Sequence, residues 1–115
     1  MDMTTSPVTV ELLEEYTGGD PDFLRELTDQ FWQDIDERVP VLESAIASLD
    51  GARLKSVAHA IAGAAGCVGA EVLREKALAL EECGKTARVS EAVPLLAEFE
   101  AELQRVRDFF AEYMA

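Results

Sequence analysis

Residues 50–70 read DGARLKSVAHAIAGAAGCVGA. Leu54, Val57, Ala58, Ile61, Ala65 and Val68 recur at spacings of three and four, which places them on one face of a helix. With Leu54 at zero and ~100° per residue, His59 falls at roughly 140°, on the solvent side. It is the only histidine in 115 residues. Its neighbours at i−4, i+3, i+4 and i+7 are Lys55, Ala62, Gly63 and Gly66, one cation and three residues with little or no side chain. Glycine inside a helix costs about 1 kcal/mol relative to alanine. Two glycines beside an exposed ring therefore point to close approach by another molecule. Taken alone, the pattern also fits a plain solvated histidine, with glycines that let a second helix pack closely.

Outward from this stretch the same spacings continue, and no alternating apolar–polar run indicates a strand. A short helix is expected over about Val8 to Thr17, with Val10, Leu13 and Tyr16 in one row, after a flexible leader over residues 1–7. Gly18-Gly19 stops it, since glycine accepts left-handed backbone. Asp20-Pro21-Asp22 restarts the chain with a cap, a first-turn proline and a charge that complements the helix dipole. Leu24, Leu27, Phe31, Ile35, Val39, Leu42, Ile46 and Leu49 form one stripe of a long second helix, with a kink expected near Glu37–Pro40. Asp50 caps the third helix, which Gly66 through Gly69 close. A fourth is expected over Ala70–Cys83, ending at Gly84. Ser90 caps the last, with Pro94 in its first turn and Leu95, Leu96, Phe99, Leu103, Val106 and Phe110 on its apolar face. Loops this short make sequence neighbours antiparallel. The expected fold is all-α, an up-down-up-down antiparallel four-helix bundle with a short additional N-terminal helix, a single domain over residues 8–115.

Composition narrows the function classes. The formal net charge is −13, from 23 acidic and 10 basic residues. Nucleic acid requires clustered cations to neutralise phosphates, so neither it nor an anionic membrane surface is an expected partner. No apolar run approaches the ~20 residues of a membrane span and no signal peptide is visible, which implies a cytoplasmic protein. Cys67 and Cys83 are expected as two buried or half-buried free thiols. One histidine and no CxxC leave no metal site.

Residues 59–70 resemble the signature of histidine-containing phosphotransfer (HPt) domains, roughly His-x-Leu-Lys-Gly-Ser/Ala-Ala/Ser-x-x-Leu-Gly-Ala/Leu. His59, Ile61, Gly63, Ala65, Val68, Gly69 and Ala70 fit. Residues 18–27, GGDPDFLREL, are similar to the family's entry into its long second helix, and Leu80-Glu81 with Gly84 to the end of its fourth. The resemblance implies a phosphorelay intermediate. His59, through Nε2, accepts a phosphoryl group from a receiver-domain aspartyl phosphate and passes it to another receiver, without autokinase activity. The implied partners are response-regulator receiver domains, a hybrid histidine kinase, or both. No cofactor is implied on this chain, Mg being expected on the receiver.

The family usually carries lysine three residues after the histidine, where this chain has Ala62. Lys55 can substitute as the cation that balances phosphoryl charge. Glu81 stands where the family often places a polar group that hydrogen-bonds the other ring nitrogen. Gly63 supports the site, and Ala62, Gly66, Arg74 and Leu78 are expected to border the docking surface. The alternative, prompted by Ala62, is an HPt-like helical module that binds a receiver or kinase without efficient transfer. A monomer is expected, and the initial Met1 favours a free-standing protein.

Overall fold

Short polar and glycine-rich turns set the ends of five helices in the computed structural model, which describes residues 6–115. Helix α1 (Val10–Thr17) stops at Gly18, whose φ of 64° is left-handed backbone. In α2 (Pro21–Ala47) the first-turn proline lacks only an N–H that would be unbonded anyway, and Asp20 accepts from the Asp22 N–H at 2.9 Å. The helix runs unbroken through Pro40. It ends earlier than the stripe implies: the Asp50 N–H donates to the Ala45 carbonyl at 2.9 Å and the Leu49 N–H to Ile46 at 3.1 Å. These are the paired bonds of a Schellman closure. Leu49 takes its left-handed position at φ 57° and lies outside the helix, 65% exposed, rather than in the core.

Asp50 caps α3 (Gly51–Cys67) by accepting from the Arg53 N–H at 3.1 Å. The same closure recurs after α3, with Gly69 at φ 74° and Ala70 N–H donating to Ala65. Two expected boundaries are corrected. Helix α4 (Glu71–Lys85) passes through Gly84 and closes at Ala87, which is left-handed at φ 58°. Ser90 lies within a 3-10 turn, Val89–Glu91, so that α5 (Ala92–Tyr113) starts after Glu91 without a side-chain cap.

Residues 1–5 of the expected leader lie outside the described residues. From Ser6 onward the chain is tied down: Ser6 Oγ donates to the Val8 carbonyl, Thr9 N–H donates to Gly69, and Val8 is buried. Val8 and Leu13 anchor this end, whereas Tyr16, expected in the same row, is exposed. The core joins Phe31, Ile35, Leu42 and Ile46 of α2 to Leu54, Val57 and Ile61 of α3, Leu73 and Leu80 of α4, and Phe99, Val106 and Phe110 of α5.

α3 and α4 pack most closely. A Cβ on Gly84 would lie 2.6 Å from the Gly51 carbonyl oxygen and 2.7 Å from the Lys55 nitrogen. The start of α3 thus rests against the end of α4, and Gly66 near the end of α3 meets Arg74 near the start of α4. α2 and α5 also pair head to tail, through Thr28 with Met114, Trp32 with Phe110, and Asp36 with Arg107.

Because the atoms facing Gly84 are backbone, they cannot rotate aside. Gly84→Ala should therefore lower stability by about 1–3 kcal/mol through overpacking, despite alanine's better helix propensity. Urea unfolding followed by circular dichroism checks this.

Candidate functional site

His59 projects from the middle of α3 with its side chain 75% exposed. Nδ1 lies 3.2 Å from each carboxylate oxygen of Glu81 on α4. A carboxylate only accepts, so Nδ1 carries a proton, and in the neutral ring Nε2 keeps its lone pair. Glu81 is 14% exposed and supplies a fixed anchor on one side of a solvent-facing ring. The arrangement favours the neutral tautomer protonated at Nδ1, in a ring that is largely exposed.

Two depressions flank the ring. Gly63 and Gly66 open onto a groove of about 600 Å³ walled by Tyr16, Phe23, Leu27, Cys67, Glu71 and Arg74. Nothing lies within 4 Å of a Cβ placed on Gly63, while Gly66 makes room for the Arg74 side chain. On the other flank, Ala52, Lys55, Ser56, His59 and Glu81 line a hollow of about 410 Å³. Lys55 is exposed and pairs with no acidic side chain among the described residues.

The structure thus gathers Lys55, His59, Gly63, Gly66, Arg74 and Glu81 on one face. One expected docking position is corrected. Ala62 is 3% exposed. In the antiparallel register set by His59–Glu81 and Gly66–Arg74 it lies level with Leu78, so α4 covers it. Leu78 itself is half-buried and packs on the core. Sequence reasoning missed Ser56 as a neighbour of the ring, and Tyr16 and Phe23 as groove walls. Phe23 precedes Leu24 on α2, and two adjacent helical residues do not share a face, a signal that one of them is left for the surface. Cys67 is exposed in the groove rather than half-buried, while Cys83 is buried.

A sequence model of the Hpt domain family matches residues 26–109. The chain belongs to the Hpt family. Among solved structures it is similar to histidine-containing phosphotransfer protein B (HptB) from Pseudomonas aeruginosa PAO1, with a TM-score of 0.89 and 25% identity over 96% of each chain. Compared by sequence, no curated protein matches it. As an Hpt domain the chain is a phosphocarrier module of two-component phosphorelays. No helix among the described residues is long and apolar enough to cross a membrane. Nor do three or more His, Cys, Asp or Glu side chains gather there into a metal site.

Gly63 leaves open space on this face, at the expense of helix stability. Gly63→Ala should raise unfolding free energy by about 0.5–1 kcal/mol, because its Cβ meets only solvent and alanine is the better helix former. Thermal unfolding measures the change. The two thiols should also separate kinetically. Burial pushes the Cys83 thiol up, helped by the charge of Glu91, so at mildly alkaline pH it holds less thiolate than an exposed cysteine. A disulfide-exchange reagent should modify Cys67 in a fast phase that Cys67→Ser removes and Cys83→Ser leaves.

Proposed function

We propose that His59 is the phosphoacceptor of a relay in which this chain takes a phosphoryl group from one receiver domain and delivers it to another. The observation that carries the reading is the exposed His59 ring held through Nδ1 by the largely buried Glu81. The Nε2 lone pair attacks phosphorus of the receiver's aspartyl phosphate. As the P–Nε2 bond forms, the P–O bond breaks and its electron pair returns to the aspartate carboxylate. The product is a phosphoimidazolium whose Nδ1–H still donates to Glu81, so no proton needs to move during transfer. Glu81 holds the tautomer and offsets the positive charge that develops on the ring.

The receiver supplies Mg and the electrostatics of its own aspartate, and this chain supplies a bare nucleophile and a surface. Gly63 opens the approach, and the groove walled by Tyr16, Phe23 and Leu27 continues from it to seat the receiver. The chain acts in this reading as a cytoplasmic monomer without autokinase activity, its residues 8–115 forming one domain. An up-down-up-down order of the four long helices belongs to the same reading. The head-to-tail pairing of α3 with α4 and of α2 with α5 supports it.

The test is incubation with phosphorylated receivers from the same genome, followed by assay for acid-labile, base-stable phosphate on this chain. His59→Gln should abolish it while folding and receiver binding persist. Glu81→Ala should slow transfer about tenfold or more. A charge-assisted hydrogen bond is worth ~1.5–3 kcal/mol, and ~1.4 kcal/mol is tenfold in rate. Glu81→Gln, which still accepts from Nδ1–H, should lose less. Binding without any phosphate on His59 would instead establish a docking module that does not transfer.

A further inference from the structure

The geometry points to the hollow beside His59 as the seat of the phosphoryl group, with the Lys55 ammonium and the Ser56 hydroxyl as its ligands. This rests on His59 being the phosphoacceptor.

Helical side chains lean toward the N-terminus of their helix, over the preceding turn. For His59 that turn carries Lys55 and Ser56, and both line the hollow of which His59 and Glu81 form the remaining polar wall. With Nδ1 held by Glu81, the ring cannot swing its other nitrogen toward α4 without breaking that bond. A phosphoryl group on Nε2 therefore extends beside residues 55 and 56.

Charge makes the same assignment. A phosphoryl group held near the Glu81 carboxylate requires a compensating cation. Ala62 offers none and is covered by α4. Arg25, Arg38, Lys76, Arg105 and Arg107 are engaged with Asp22, Asp34, Glu98, Glu102 and Asp36. Arg74 lies against Gly66 in the other groove, and of the remaining cations Lys55 is the one that lines the hollow. Lys55 pairs with no acid among the described residues, and its helix carries Arg53 and Lys55 with no acidic residue at all. Its flexible four-carbon stem delivers a compact charge with three donors. The Ser56 hydroxyl likewise makes no hydrogen bond among the described residues, so it is available to a phosphoryl oxygen. The cation thus stands on the N-terminal side of the histidine, opposite to the Ala62 side.

Loading His59 with phosphoramidate tests this without a receiver: ammonia leaves phosphorus as Nε2 takes the phosphoryl group. Phosphorus NMR then follows the lifetime of phospho-His59 and the titration of its phosphoryl oxygens. A cation favours the dianion, and it holds the ground state more strongly than a loose transition state, where charge on those oxygens falls. Lys55→Gln should therefore move the titration midpoint upward and shorten the lifetime about three- to tenfold, as an exposed cation ~4 Å away warrants. Lys55→Arg should restore most of both, and Ser56→Ala should shift both by a smaller factor. Both positions are solvent-exposed, so folding should be unaffected, and circular dichroism verifies it. A chain that loads on His59 but shows the same titration and lifetime in Lys55→Gln and Ser56→Ala overturns the assignment. Wild-type protein that never loads on His59 overturns the phosphoacceptor reading, and this one with it.

Discussion

How closely α3 and α4 can approach governs the rest of the molecule's working face. At their crossing the backbones of Gly51, Lys55 and Gly84 are near enough that a methyl group on residue 84 would strike main-chain atoms. That proximity fixes a register in which Glu81 comes level with His59 and reaches it with a short carboxylate arm. A helix pair held apart by larger side chains would leave the same two residues facing water separately. The approach also explains Gly51 at the start of α3 and the covered Ala62: small side chains are what let a second helix lie this close, whereas Gly63 faces open space. The ring is thus oriented by packing one to two turns away as much as by its own hydrogen bond.

Charge is distributed as unevenly as size. α3 contains no acidic residue in a chain of net charge −13, whereas α2 alone contains seven. Such an asymmetry would turn the α3 face toward any anionic partner during encounter, because the acidic surface elsewhere would repel it. The same excess of acid has a consequence between α2 and α5. Glu100 is pushed above the usual carboxylate range by its hydrogen bond with Glu43, then by burial and by Glu43's charge. A carboxyl group raised in the folded state favours folding below its unfolded value. That contribution fades as pH climbs through the raised one. This edge of the bundle is therefore held better in mild acid, and the α3–α4 face has no such carboxyl pair.

The α3 face, the caps at Asp20 and Asp50, and the exposure of His59 were all legible in the sequence, because each depends on spacing within one helix or one turn. Ala62 was not. Its angle on α3 falls between the core centre and His59, and only the flank on which α4 lies decides whether it is covered. Gly84 reads equally well as a helix stop or as a close crossing, and the difference resides in residue 51, thirty-three positions earlier. Leu49 continues the α2 stripe in phase, yet the closing hydrogen bonds to Ala45 and Ile46 take it out of the helix first. In each case a tertiary neighbour or a backbone bond settles what periodicity leaves open.

The substitution of alanine for the family's usual lysine looks at first like a loss of function. In the folded protein a lysine at 62 would have to carry its stem out through the contact with α4 before its charge could reach the ring. Under the proposed function and the Lys55 assignment, the alternative is a row of alternating sign across the site. The Glu81 carboxylate faces the imidazole, which becomes positive when phosphorylated. The phosphoryl group then lies next to the ring, with Lys55 beyond it. Each charge in this row has its opposite as nearest neighbour, so the phosphorylated state needs no cation at 62. Because Glu81 and Lys55 line one hollow and bear on the same phospho-imidazole, their contributions should couple rather than add.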